Sequence, residues 1–533
     1  MSRICWFARW GLAIGVGALL AALFPAPLHL PAANSAPPTD ELPTALSYVP
    51  TDAALVLCVD VARAWDSPVL KAIRTADRQF VNELTTLGKT DFGFTPDAIG
   101  TVVVFVPKII EPEDITRLGI VVSFKQAYDS VKLARGAEKH LPADQKVKVV
   151  PVSEQIALVL LNLGDEYAKP QPAHRTGPLS PILKQAARGQ HLAVAGVTLA
   201  NWPDVLRSDE VPPPFRPFQP LAHAQILTAT VDLNQRLDLT VRVKAATAGQ
   251  ATDCEKSLGV LVRLLQDELK ERIATWEKDA ALRDLVAVLT ACQTATQSVK
   301  FSTLGTETHL NASLPLELPF GTAFTTARQK LQDAAIVAQS ANNLKQIALA
   351  LHNYHDTYGA FPPAAVCDKT ATPQLSWRVL ILPFIEQEEL FKQFKLDEPW
   401  DSEHNKKLLP KMPKVFAIPG QRQASDTYYR VFVGNGAGFD WIMGTQLNNI
   451  TDGTSNTLMV VTAAEAVPWT KPDELNFDPE KDMTKLMGLV VNGKAQTAFF
   501  DGSVRTLTKL PPKKNLNALI TKNGGEVIDD DER

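Results

Sequence analysis

The strongest periodic signal in the chain lies at residues 325–358. There Leu344, Ile347, Leu351, Tyr354 and Tyr358 recur at three- and four-residue steps and share one helical face. Gly359 stands where a helix closes in a left-handed residue, and Pro362-Pro363 forbid a restart. Such a stripe is stable only against another layer, and the segment that follows, as far as Leu507, reads as the sheet that supplies it.

The first half of the chain carries one pattern twice. Residues 53–61 (AALVLCVDV) form a buried-type strand, followed by a helix with Trp65 at its start, strands at 101–106 and 118–124, and a helix at 126–139. The second copy runs from a strand at 191–198 through a segment bearing Trp202 to strands at 225–233 and 237–244, with a helix from about 252. Within it Asp232, Asn234, Arg236, Asp238, Thr240 and Arg242 alternate with Val231, Leu233, Leu237, Leu239 and Val241, which is the signature of an antiparallel hairpin covered on one side. Helices through Trp276 and over 282–292, then a strand pair near 299–301 and 308–314, complete the copy before Pro315 and Pro319. The order implies a duplicated unit of antiparallel sheet plus helix, over 47–175 and 176–319.

Further along, 451–461 (TDGTSNTLMVV) is a tight turn feeding a strand, with Asp452-Gly453 supplying the positive-φ position. Asn492-Gly493 and Asp501-Gly502 are two-residue hairpin signals, so 486–507 reads as a three-stranded meander. The acidic end of 511–533 reads as a solvated tail.

Composition changes the picture in two respects. At 533 residues and 45% hydrophobic content the chain has material for several cores, and a net charge of -4 gives no footprint for nucleic acid. Arg3 and Arg9 precede an apolar run at 11–24 that is too short to span a bilayer and of signal-peptide length. Residues 1–36 are therefore expected to be a cleaved signal or an uncleaved anchor, and 37–46 a linker. Membrane contact is expected only through that segment when uncleaved. Cys58, Cys254, Cys292 and Cys367 have no metal-ligand spacing; they read as small buried hydrophobes, with Cys254–Cys292 the one pairing two helices would allow.

Four blocks in order, NNLKQIALALHNYHDTYGAFPP, LSWRVLILPFIEQEELFKQFKLDEPWDSEHN, ITDGTSNTLMV and FFDGSVRTL, resemble the DUF1559 family over residues 322–510. That is a family of exported, pilin- or pseudopilin-like proteins of planctomycete-type bacteria whose function is unknown. The resemblance implies a pilin-like domain at 320–510, with a long helix on an antiparallel sheet, and the whole chain is expected to be α+β. Family members place an extremely apolar half-helix here. This chain has FTTARQKLQDAAIVAQSA with Arg328, Lys330 and Asp333, which cannot span a bilayer. Filament assembly through that half-helix is not expected.

Candidate chemistry is sparse. There is no GxSxG elbow, HExxH or Walker loop, and His174, His191 and His223 stand alone. His352 and His355, three apart on one helix, have no third metal ligand nearby and read as packing residues. Asp397, Glu398, Trp400, Asp401 and Asn405 form a polar cluster suited to capping a helix begun at 401 or 402, or to holding a cation or sugar. Because some pseudopilins bind calcium, the resemblance also raises a calcium site at Asp452, Asn456 and Glu465, without EF-hand spacing. No catalytic residue and no cofactor is assigned. The expectation is a non-enzymatic structural or interaction protein of the cell envelope or surface, with envelope proteins as partners. The alternative is an extracytoplasmic binding protein that uses a groove between the duplicated units for a peptide, glycan or protein.

Overall fold

The computed structural model describes residues 42–526 except 112–113, 115, 141–144, 172–176, 199–210, 212, 234 and 421–424. The signal segment, Trp202, His174, Asn234 and the acidic tail lie outside the described residues. The chain parts into two compact units, Met1–Arg328 and Gln329–Arg533.

The first unit is built on one ten-stranded antiparallel sheet. Strand β1 (Leu55–Asp60) ends in Asp60, whose carboxylate accepts from Arg63 N and starts helix α1 (Val61–Trp65). Ser67 caps α2 (Pro68–Ala76), which has proline at its first position, and Asp77 caps α3 (Arg78–Leu87). Then follow β2 (Ile99–Val106), β3 (Leu118–Phe124), α4 (Ser130–His140), β4 (Val147–Ser153) and β5 (Ile156–Leu161). After α5 (Ser180–Ala187) the second set comprises β6 (Ala193–Thr198), β7 (Ile226–Leu233), β8 (Arg236–Lys244), α6 (Ala248–Trp276), α7 (Arg283–Gln297), β9 (Lys300–Leu304) and β10 (Glu307–Pro315).

Across the sheet the order is β4-β5-β3-β2-β1-β6-β7-β8-β10-β9. Read outward from the middle, both halves have the same connectivity. They meet in a ladder between β1 and β6, with Leu57 opposite Ala195 and Cys58 opposite Val194. The two expected units are thus joined edge to edge in one sheet.

The two faces of the sheet differ. Val159, Ile120, Val104, Leu57, Ala195, Ala229, Val241 and Leu310 form one continuous aliphatic cross-strand row on one face. Over the second half α6 packs on that face, with Cys254 and Leu258 against Val243 and Leu310. On the opposite face the first half is covered: Val56, Val103, Phe105, Val121, Leu158 and Leu160 pack on Leu46, Leu179 and Ile182. The second half there is polar, with rows such as Thr228–Arg242–His309–Ser302. The alternation read from 231–242 is this one-sided burial. Where the covered face is tightest, side chains are omitted. A Cβ on Gly119 would lie 2.1 Å from the Phe105 ring.

The second unit is organised by α8 (Phe320–Tyr358), 39 residues long, whose first residues belong to the first unit. Gly359 closes it with φ +77°, and its N–H donates to His355 O at 2.7 Å. Leu344, Ile347 and Leu351 are buried among Tyr429, Val431, Val460, Ala498 and Phe500. Hairpin β11 (Ala365–Cys367) and β12 (Pro373–Ser376) comes next. A sheet in the order β13-β15-β17-β18 follows, made of β13 (Asp426–Arg430), β15 (Leu458–Pro468), β17 (Ala495–Phe499) and β18 (Val504–Leu507). A short parallel pair joins β14 (Phe432–Val433) to β16 (Leu475–Asn476), and α9 (Lys513–Ile520) packs Leu516 and Ile520 on Phe499.

Two local expectations are corrected. The meander at 486–507 has two strands, not three, because β17 is already paired on both edges by β15 and β18. Asn492 (φ 50°) and Gly493 (φ 72°) do make the expected turn, but its ladder ends after the Val491–Lys494 bridge. The helix expected from 401 or 402 is a 3-10 segment, Asn405–Lys411, interrupted by Pro410.

Candidate functional site

The four sequence blocks meet inside the second unit, where two clusters bring chemically versatile side chains into the interior. The first lies at the end of α8. His352 and His355 both pack on the Phe361 ring, with centroids 5.3 and 4.8 Å away, and Phe361 meets Phe500 edge-on at 5.0 Å. Phe500 N donates to Thr457 O and Asp501 N to Thr454 O, which fixes the Asp501-Gly502 turn to the 451–457 turn. Burial pushes the His352 imidazole below its ordinary value, against the pull of the Asp356 carboxylate. Nε2 of His352 and Nδ1 of His355 are buried without a hydrogen bond of normal geometry.

The second cluster is an ion pair in the core. Arg378 and Glu474 side chains are both 0% exposed, with Nη1 2.9 Å from Oε1. The guanidinium also donates to Tyr429 O through Nε (3.0 Å) and Nη2 (2.6 Å) and to Ser376 Oγ through Nη1 (2.6 Å). Glu474 Oε2 accepts from Val431 N at 2.9 Å. Burial drives Arg378 down and Glu474 up, and each partner's opposite charge resists that. The pair ties the Ser376 cap of the helix Trp377–Leu380 to β13 and to the chain before β16. Nearby, Tyr429 OH and Ser340 Oγ are 2.7 Å apart, and burial lifts the phenol to about 12.

Residues 329–430 match the family model described as a protein of unknown function, DUF1559. Neither the curated proteins nor the solved structures give a match to the chain. The DUF1559 segment therefore contains His352, His355, Arg378, Asn405 and Tyr429, whereas Glu474 and the turns at 452 and 501 come from the chain that follows it.

Of the polar residues singled out in the sequence, Asn405, Asp452 and Asn456 are engaged by the fold itself. Asn405, 0% exposed, accepts from Lys395 N and donates to the carbonyls of Lys395, Glu398 and Pro399, so the polar cluster around it is a loop scaffold. Ser402 Oγ accepts from Asn405 N, as a cap does. The calcium arrangement is not formed. Asp452 accepts the N–H groups of Gly524 and Gly525, Asn456 donates to Asp452 O, and Glu465 is exposed on β15. Among the described residues no group of three His, Cys, Asp or Glu is placed to hold a metal ion. Cys254 and Cys292 are both free thiols, and Cys254 donates to Pro220 O. Trp65 is half-buried with the Arg74 guanidinium 4.4 Å from its ring. His191 is held between Asp232 (2.7 Å) and Gln185 (2.8 Å).

Sequence reasoning missed α3, the β4–β5 hairpin and the ion pair. The hairpin had a signal, KVKVVPVS then IALVLL about a two-residue turn, with Pro151 marking an edge strand. Arg378 inside the apolar run SWRVLILP was the one hint of a buried partner. Nothing local points to Glu474.

Proposed function

We propose that this protein is a non-enzymatic, exported structural or interaction component of the cell envelope or surface, carrying a pilin-like module at its C-terminal end. The observation that supports the reading is how four buried polar residues of the DUF1559 segment are used. Arg378, Asn405, Tyr429 and Ser340 direct their donors and acceptors at their own chain, as a scaffold does, and catalysis needs such groups turned toward a substrate. Export is supported by the basic residues and short apolar run at the N-terminus. The pilin-like reading is supported by the long helix lying on an antiparallel sheet. No helix among the described residues is long and apolar enough to cross a membrane.

Cell fractionation with N-terminal sequencing of the mature chain tests this. The expected result is a chain outside the cytoplasm that either begins within a few residues of Ala36 or retains its N-terminus in the membrane fraction. In-cell crosslinking is then expected to capture envelope proteins. A full-length chain in the cytoplasm overturns the proposal.

A further inference from the structure

We propose that His352 forms an acid-sensitive latch that holds the last turns of α8 on the Phe361–Phe500 ring pair and releases them when its imidazole takes up a proton. The geometry is that of a contact built for neutral rings. Both imidazoles lie on one phenylalanine, which is 1% exposed and backed by a second that is 0% exposed. Protonation adds an N–H to the His352 ring, yet its Nε2 is buried without a well-placed partner, as is Nδ1 of the neighbouring His355. The carboxylate beside His355 Nδ1, Asp356, stands 3.6 Å away, beyond hydrogen-bond length.

The charged groups facing His352 are few. On its own helix they are Asp356, which favours the cation, and His355, which opposes it; across from it are the Phe500 carbonyl and Asp501, which both favour the cation. Burial outweighs them, so the packed state prefers the neutral ring. The sign follows. A released imidazole titrates near 6.5 and the packed one lower. The latch therefore keeps its full advantage above about pH 6.5 and loses it as pH falls through the lowered value. The helix itself is not what gives way. Gly359 caps it through His355 O, and cations at a helix C-terminus are favoured by its dipole. What weakens is the docking of that end on the rings.

The test is hydrogen exchange by mass spectrometry on the whole protein at pH 7.5 and pH 5.0, corrected for intrinsic rates, reading peptides across 350–361 and 497–505. Protection there is expected to fall in the wild type as the imidazole takes up a proton, and to stay constant in His352→Phe. Equal protection at both pH values, or the same loss in His352→Phe, overturns the proposal. In case that variant does not fold, deuterium uptake at the imidazole C2 position of the wild type reads the titration of His352 directly. A midpoint below 6.5 is expected, and one at or above 6.5 refutes the latch.

Discussion

Replacing Glu474 by Ala is the sharpest perturbation the fold offers. It leaves the Arg378 guanidinium at 0% exposure without its ion-pair partner and removes the acceptor of Val431 N. Breaking a buried pair from one side costs about 3–5 kcal/mol, and the orphaned amide alone accounts for about 1–3 kcal/mol of such a loss. The two overlap, so about 4 kcal/mol is the working figure. For a unit the size of Gln329–Arg533, that lowers Tm by about 8–16 °C. The assay is thermal unfolding followed by near-UV circular dichroism, where the fully buried Trp377 and Trp469 report the second unit. A double variant, Arg378→Met with Glu474→Leu, discriminates the cause. It removes both charges while keeping the volume, so it should recover at least half of the loss, because the penalty comes from the uncompensated charge rather than from a missing attraction. A Glu474→Ala protein that melts within a degree of wild type, or a double variant as unstable as the sum of its single changes, refutes this account.

Other outcomes follow from single contacts. Gly119→Ala should cost about 3 kcal/mol by overpacking, since its Cβ meets a ring face, whereas Gly196→Ala meets one aliphatic side chain, Ile182, most closely at its terminal Cδ1, and should cost about 1 kcal/mol; equal denaturant midpoints would contradict this. Asn405→Ala should lower stability by about 2–4 kcal/mol in urea unfolding, and a change under about 0.5 kcal/mol would refute the scaffold role. The Asp91 carboxylate is held at about 2 by hydrogen bonds from Lys139 and His140. Its folded value is depressed, so its contribution is complete above about pH 4 and is lost as pH falls toward 2; Asp91→Asn should flatten that limb of an acid-unfolding curve of the first unit.

What could be read in advance was whatever is written locally. The α8 stripe, its Gly359 stop, strand β3 at 118–124 and the one-sided hairpin 231–242 all depend on neighbours within a few residues. The errors came where a distant segment decides. A third meander strand failed because β15, from some 40 residues earlier, had already taken the edge of β17. The calcium set failed because Asp452 finds its donors at Gly524 and Gly525. Arg378 and Glu474 are 96 residues apart, and no periodicity links them. The repeated order of elements was legible as a pattern, but its joining into one sheet depends on β1 and β6 pairing across more than a hundred intervening residues.

That central ladder has a consequence for how the protein behaves on dilution and over evolutionary time. A sheet ordered β4-β5-β3-β2-β1-β6-β7-β8-β10-β9 is what two copies of a five-stranded half would build by pairing their β1 strands about a two-fold axis. A dimer of that kind falls apart as it is diluted, and every mutation in it appears on both sides. With both halves in one chain, the pairing is intramolecular and independent of concentration. Each half is also free to change alone. The second carries covering helices of 29 and 15 residues against 11 at the equivalent place in the first, and one face of its strands is polar. The outer edges of this pseudo-dimer carry features that disfavour further strand pairing: Pro151 and a register shift on β4, and the brevity of β9.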